Sequence, residues 1–143
     1  MQVDLVNKEY PQCGDVYLMR FDGTGSEQSG VRPAVIMQNN TGNRYSPNVI
    51  ALPLTSSIKK AGQPTHVLLP SAETGLAKDS LVLCENPGTM SKQRMGRYLT
   101  HLPDTYMKEV AAAQILATSA ISYLTKEELV VLWEECVRLN RIA

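Results

Sequence analysis

Short apolar runs alternate with polar, glycine-bearing segments over about the first hundred residues, a pattern that predicts β-strands joined by turns. Three glycines in nine residues predict a loop at 22–30. The runs at 31–37 and 48–55 are almost wholly apolar, so we expect strands buried on both faces. Five strands are predicted in all, at residues 15–21, 31–37, 48–55, 66–69 and 81–85. Short strands at this spacing are typical of a small barrel or sandwich.

The spacing of apolar residues becomes helical after residue 102. Pro103 and Asp104 predict the start of a helix that runs to about Tyr123, with Asp104 as the N-cap. One face of this helix is expected to pack on the core, through Met107, Val110, Ala111 and Ile115.

A second helix is predicted from Thr125, where Thr125 and Glu128 have the spacing of a capping box. Its apolar positions form an amphipathic stripe of Leu129, Leu132, Trp133, Cys136 and Val137. Most such stripes are core faces, so the first expectation is that this one packs on the sheet of the same chain.

Composition limits the class of protein. The 143 residues are 43% hydrophobic and 20% charged, as expected for one globular domain. Three scattered cysteines without a C-x-x-C pair argue against a disulfide framework or zinc ribbon and favour a reducing, cytoplasmic location. Two histidines 35 residues apart do not suggest a metal site. No signal-peptide pattern is present and no apolar run approaches 18 residues, so no membrane contact is expected.

Charge is balanced overall but unevenly distributed. The chain has 14 Lys and Arg against 14 Asp and Glu, yet residues 30–97 hold eight basic and only three acidic side chains. A basic sheet face is compatible with a phosphate-bearing ligand. The simpler alternative is a scatter of solvated surface cations.

Known catalytic motifs are missing, but one cation is unusual. The sequence has no P-loop, no dinucleotide-binding fingerprint and no G-x-S-x-G. Arg32 lies within an apolar run, where an unpaired charge is costly, so it requires a carboxylate, an anion or a groove. An ion pair with Glu27 that closes the hairpin and a functional role remain equally open. Cys84 follows an apolar run and is expected to be a buried structural thiol.

An ordered series of short segments runs through most of the chain. The segments are Gly14-Asp-Val-Tyr17, Gly25-Ser-Glu-Gln-Ser-Gly-Val-Arg-Pro33, Val35-Ile-Met-Gln-Asn39, Gly42-Asn-Arg-Tyr-Ser-Pro47, Pro53-Leu-Thr-Ser56, Pro64-Thr-His66, Asp79-Ser-Leu-Val-Leu-Cys-Glu85, Ser91-Lys-Gln-Arg94 and Leu99-Thr-His-Leu102. This series resembles the MazF/PemK (Kid) family of toxins from type II toxin–antitoxin modules. The resemblance extends from about Gly14 to Leu124, and Val31 before the motif arginine is similar to the Gram-positive branch.

The resemblance implies an α+β, mainly β fold: a small SH3-like barrel of the MazF/PemK/CcdB type with a C-terminal helix. Residues 1–124 would form the toxin domain, and 125–143 would add a further amphipathic helix. The implied activity is sequence-specific cleavage of single-stranded mRNA by attack of the 2′-hydroxyl, without a metal ion or other cofactor. The implied partners are a second copy in a homodimer and a cognate antitoxin, with operator DNA bound only by the toxin–antitoxin complex. The alternative is a non-catalytic relative that binds DNA or poisons a protein target, as gyrase poisons of this fold do.

The resemblance also assigns site residues. Arg32 and Thr55 match the catalytic arginine and threonine, while Ser26, Glu27 and Gln28 match the loop that positions RNA. The arginine fork is suited to the charge of the phosphorane, and Glu27 is an alternative base. Glu85 and Asn86 match a position near the base-reading groove, and further RNA contacts are expected from Tyr45, Ser56, Lys59 and Arg94. Tyr17 and Phe21 are also candidates for stacking on bases, although aromatic side chains are more commonly packed in the core. Lys60 and Arg97 could hold the RNA backbone.

Two segments depart from the family pattern. Residues 86–89 replace the glutamine and arginine that the family commonly carries, so a shifted recognition sequence or reduced activity is expected. Residues 125–143 extend beyond family members of ordinary length. Besides packing on the same chain, this helix could contact a second copy or the antitoxin, or occlude the groove.

Overall fold

The computed structural model describes residues 9–23 and 29–141. Within these ranges the chain forms seven strands, four α-helices and two 3₁₀ turns. The strands are β1 (Asp15–Asp22), β2 (Ser29–Ile36), β3 (Asn48–Thr55), β4 (His66–Leu69), β5 (Ser80–Leu83), β6 (Gly88–Ser91) and β7 (Met95–His101). The helices are α1 (Asn40–Tyr45), α2 (Ser71–Thr74), α3 (Asp104–Ala117) and α4 (Lys126–Asn140), and the 3₁₀ turns are Lys92–Arg94 and Ala120–Tyr123.

The strands form a mixed-length antiparallel sheet in the order β4-β5-β3-β2-β1-β7. Strand β3 has three partners in succession: it pairs with β6 through 48–51, with β2 through 51–53 and with β5 through 54–55. The predicted α+β, mainly β class is confirmed by this sheet and its few helices.

Apolar side chains are buried on both faces of the central strands. On β1 and β2, Val16 and Val35 belong to a cluster that also holds Val110 and Ala113 of α3. Tyr17 and Ala34, one residue away on each strand, belong to a second cluster on the opposite face. This alternation confirms that residues 34–36 are buried on both faces. The start of β2 differs, because Val31 is 65% exposed.

Two strands, β6 and β7, were not predicted from the sequence. Both mix apolar with polar or glycine positions, and β7 includes Gly96, which approaches the backbone of Leu18 on β1. Such strands lack the clean period of two that identifies a strand from sequence.

Helix α3 is shorter than predicted. It ends at Ala117, and Thr118 is extended. The prediction that Asp104 is the N-cap is wrong: Pro103 holds that position, and Asp104 is the first helical residue. The buried residues are Val110 and Ala113, whereas Ile115 is 51% exposed. No helix in the described part of the chain is both long and apolar enough to cross a membrane.

Helix α4 confirms its predicted start and contradicts its predicted packing. Thr125 and Glu128 form the full capping box. However, no residue of α4 is buried, and Trp133 is 69% exposed. The stripe therefore does not pack on the sheet of this chain. Instead, the C-terminal end of α4 is bound to α1 by hydrogen bonds, one of them from the Thr41 hydroxyl to the Leu139 carbonyl at 2.7 Å.

Candidate active site

The site lies where β2 and β3 separate. These strands pair Ile36 with Ala51, Val35 with Leu52 and Ala34 with Pro53. If this register continued for two more residues, Arg32 would lie opposite Thr55. At that point β3 has turned to β5, where Thr55 pairs with Leu81, while Arg32 remains paired with Met19 on β1. A gap therefore opens between two strands whose register aligns the two residues.

Arg32 and Thr55 line one cleft of about 620 Å³ in this gap. Its apolar lining includes Leu54 and Leu76, which are buried. Its charged lining consists of three cations, Arg32, Lys78 and Arg97. Within the described residues, no Asp or Glu lines this cleft. The cleft is therefore suited to an anion.

Both predicted catalytic side chains are half-buried and reach this cleft. The Nε atom of Arg32 is buried, which limits the freedom of the guanidinium. The Thr55 hydroxyl oxygen accepts a hydrogen bond from the Ser57 backbone N–H at 3.2 Å. A hydroxyl has one proton to donate as well as lone pairs to accept with, so Thr55 can still donate to a ligand. The hydrogen bond that Thr55 accepts from Ser57 is therefore compatible with one that it donates to a substrate.

A second cleft of about 340 Å³ adjoins the first and shares Thr55 with it. It is lined by Lys59, Lys60, His66, Glu85 and Asn86, among others. Burial disfavours ionisation of Glu85, but its hydrogen bonds, first that with His66, outweigh burial and hold the pKa of this carboxyl below its usual range. Glu85 is therefore an ionised acceptor at neutral pH.

Two more grooves extend the surface. Glu85 and Asn86 also line a cavity of about 460 Å³ that contains Arg94, whose guanidinium lies 3.0 Å from the Asp22 carboxylate. A groove of about 370 Å³ carries Arg20, Arg94 and Arg97, and it shares Arg97 with the first cleft. Basic side chains thus line the two grooves that share Thr55 or Arg97 with the first cleft.

The structure unites most of the predicted site residues that it describes. Ser56 lines the first cleft, and Lys59, Glu85, Asn86 and Arg94 line the adjoining ones. The predicted loop residues Ser26, Glu27 and Gln28 lie outside the described residues.

The predicted aromatic contacts lie in different surroundings. Tyr17 and Phe21 are buried in the second core cluster. Tyr45 is 68% exposed on α1, with the Arg44 guanidinium 5.3 Å from its ring centroid. Tyr45 precedes β3 and Thr55 ends it. The seven steps from Asn48 to Thr55, at about 3.3 Å each, span roughly 23 Å, so Tyr45 lies at the opposite end of β3 from the cleft.

Sequence reasoning missed two residues of these clefts. Lys78 belongs to the basic surplus of residues 30–97, which is the signal that could have indicated it. His66 was considered only as a metal ligand, yet its ring contacts Glu85. In the part of the chain that the structure describes, no group of three or more His, Cys, Asp or Glu side chains could hold a metal ion.

The prediction for Cys84 is confirmed. The thiol is buried in the core, and burial, followed by the charge of Glu85, raises its pKa to about 12. A thiol in these surroundings remains protonated and unreactive.

Comparisons with known proteins agree with this geometry. Residues 12–117 match a family model described as a PemK-like, MazF-like toxin of a type II toxin–antitoxin system. The chain is 50% identical over 98 residues to Endoribonuclease MazF of Staphylococcus saprophyticus. These aligned residues cover 68% of this chain and 82% of that protein.

Solved structures share the fold. An endoribonuclease in complex with its cognate antitoxin, from a mycobacterial species, has 28% identity and a TM-score of 0.60 over 75% of this chain and 93% of its own. MazF from Deinococcus radiodurans has a TM-score of 0.66 over 82% of this chain and all of its own, at 24% identity. The predicted MazF-type fold is thereby confirmed.

Proposed function

The chain belongs to the family of PemK-like, MazF-like toxins of type II toxin–antitoxin systems, and we propose from this premise that it is an endoribonuclease toxin that cuts single-stranded mRNA. One observation carries the assignment of the site. Arg32 and Thr55 line the same cleft with two further cations and, among the described residues, no acidic side chain. This is the charge distribution that a phosphodiester requires.

The proposed reaction uses the ribose of the substrate as nucleophile. Its 2′-oxygen attacks phosphorus and forms a 2′,3′-cyclic phosphate, while the bond to the 5′ oxygen breaks and that oxygen takes a proton from water. Arg32 donates two N–H groups to the charged phosphoryl oxygens, and Thr55 donates its hydroxyl proton to one of them. These three hydrogen bonds strengthen as charge accumulates, so they lower the barrier rather than merely bind the ground state.

Removal of the 2′-hydroxyl proton needs a base. We assign it to Glu27, since a carboxylate accepts a proton readily and a guanidinium gives one up only with difficulty. Glu27→Gln distinguishes base from spectator. An unchanged dependence of rate on pH in this variant would exclude the carboxylate and transfer the role to Arg32.

Recognition of the RNA is assigned to the adjoining grooves. Single strands expose base edges and are held by cations along their backbone. Glu85 and Asn86 line a groove on one side of Thr55 and can accept or donate to a base. Lys59, Arg94 and Arg97 line the grooves around it and can hold phosphates. Because residues 86–89 differ from the common family pattern, we expect a shifted recognition sequence or reduced activity.

Partners follow from the family. A cognate antitoxin neutralises the toxin, and the mycobacterial complex is a solved example of such a pair. We further propose that the chain acts as a homodimer, that operator DNA is bound only by the toxin–antitoxin complex, and that the site of action is the cytoplasm, where mRNA is found. Residues 1–124 form the toxin domain and 125–143 an added helix.

The test is cleavage of a long mRNA by the purified protein in EDTA, with the new 5′ ends mapped. Cuts at one short motif that leave a 2′,3′-cyclic phosphate and a 5′-hydroxyl are expected. Growth arrest with intact RNA would instead support a non-catalytic poison.

The matched variants are Arg32→Ala and Arg138→Ala, which remove an arginine from the cleft and one from α4. Arg32→Ala should abolish cleavage and toxicity while the protein remains folded. Arg138, which pairs with Glu135 on the same helix, should be dispensable. Wild-type cleavage by Arg32→Ala would remove this residue from the site.

A further inference from the structure

His66 lies at the junction between the lysine-bearing loop and the sheet. The loop at 56–65 leads from the end of β3 to His66, the first residue of β4. Its lysines are exposed, whereas the His66 side chain is only 4% exposed. His66 pairs with Leu83 in the β4–β5 ladder, two residues before Glu85. Its ring is thus a buried anchor between the loop and the end of β5.

Both ring nitrogens of His66 face acceptor oxygens. Nδ1 lies 2.8 Å from the Lys60 carbonyl oxygen, and Nε2 lies 2.8 Å from Glu85 Oε2. A carbonyl can only accept, so Nδ1 carries a proton. Nε2 lies at hydrogen-bond distance from a carboxylate oxygen, which also accepts. The geometry therefore suits a ring that donates in both directions.

We propose that His66 is a positioning residue, whose imidazolium fixes both the loop that carries Lys59 and Lys60 and the Glu85 carboxylate that faces the RNA. The proposal rests on the proposed function, since it concerns the groove assigned to RNA. Hydrogen bonds within the loop are local, such as Gln63 N–H to the Lys60 carbonyl and Ala61 N–H to the Ile58 carbonyl, and the end of the loop is joined to the sheet by Cys84 N–H to the Thr65 carbonyl. His66 adds the link from Lys60 to the sheet.

The charged side chains around His66 indicate what its ring positions. Glu85, Lys59 and Lys60 are the charged side chains that line the cleft with it. Without the His66 ring, Glu85 would lose one of its hydrogen-bond donors and keep that of Thr65. The carboxylate could then turn to the two lysines, which would withdraw their charges from the RNA backbone. Arg32 lines a different cleft, so the chemical step itself should persist.

The kinetic test separates positioning from chemistry. In the full-length chain, His66→Leu should raise KM for a short RNA substrate about tenfold, the loss expected for one charged hydrogen bond, with kcat within about twofold. His66→Gln, which retains a donor, should recover part of that loss. His101→Leu is the control: His101 lies 2.8 Å from the Asp15 carboxylate but lines none of the clefts described above, so KM should remain that of the wild type.

A second measurement needs neither RNA nor a folded His66 variant. In ¹⁵N spectra of the histidine rings at neutral pH, the wild-type His66 should show both nitrogens protonated, and Glu85→Gln should leave Nδ1 alone protonated. A neutral ring in the wild type, a wild-type KM in folded His66→Leu, or a kcat loss equal to that of Arg32→Ala would each overturn the proposal. If the wild type cleaves no RNA, the proposed function fails, and the ring spectra still decide whether His66 holds Glu85.

Discussion

Replacing Thr55 by valine tests most directly whether the Thr55 hydroxyl contributes to the cleavage rate. Valine keeps the shape of the side chain and its place in the strand but removes the hydroxyl. A donor aimed at charge that develops in the transition state contributes about 2.7–4 kcal/mol, so kcat should fall about 10²- to 10³-fold.

The structure indicates that this loss will be catalytic and not structural. The hydroxyl oxygen accepts one hydrogen bond, from the exposed Ser57 N–H. Water can replace that acceptor, so the free energy of unfolding should fall by less than about 1 kcal/mol. Urea unfolding beside single-turnover cleavage at saturating enzyme measures the two quantities separately.

Thr55→Ser is the matched control, because it restores the donor on a slightly smaller side chain. It should recover most of the rate. If Thr55→Val cleaves within about threefold of the wild type, the hydroxyl does not contact the reacting phosphate, and its role is the local turn with Ser57.

Three further predictions concern binding, the added helix and the thiols. Arg97→Ala should weaken binding of a 2′-O-methyl RNA and reduce the slope of log K against log salt by about 0.7, as measured by anisotropy, because one phosphate contact is lost; an unchanged slope would place Arg97 off the RNA path. Deleting residues 125–143 should lower the free energy of unfolding by about 1–2 kcal/mol, because three hydrogen bonds to α1 are lost, two of them exposed and one partly buried, yet leave the cleavage rate of the toxin unchanged. At pH 8, mass spectrometry should find rapid alkylation of the exposed Cys136. Cys13 and Cys84 should react slowly until the pH approaches about 11 and 12, because burial raises the pKa of both thiols to these values; rapid labelling of Cys84 would contradict its burial.

The sequence predicted the strands that consist mainly of buried apolar residues. It missed the strands that mix apolar with polar or glycine positions. β1 to β5 each contain a run of apolar or β-branched residues, and the structure places them within two residues of the predicted bounds. β6 and β7 depend on pairing with β3 and β1 for their stability, a tertiary effect without a local pattern. The prediction that Ile115 is buried failed for a similar reason. Helical spacing identifies an apolar face, but the position of the sheet decides how much of that face is covered.

Helix α4 illustrates the same limit. Its capping box is a local feature of four residues, and it was predicted correctly. The packing of its stripe depends on which element lies opposite. Among the described residues, α1 is the only element with several contacts to α4, and it contacts the C-terminal end of α4. An amphipathic pattern therefore predicts a helix reliably and its partner poorly.

The site itself depends on register, which the sequence does not display. Arg32 and Thr55 lie 23 positions apart, and only the pairing of Ala34 with Pro53 shows that they are opposite one another. Proline has no N–H to donate to a ladder, and Pro33 and Pro53 stand where β2 and β3 cease to pair. The prolines that end the β2–β3 ladder thus open the cleft. Strand β3 then pairs with β5, and this pairing holds Thr55 in place. Arg32 is retained beside β1 by its pairing with Met19, so the two proposed catalytic groups are fixed on separate strands that line one cleft.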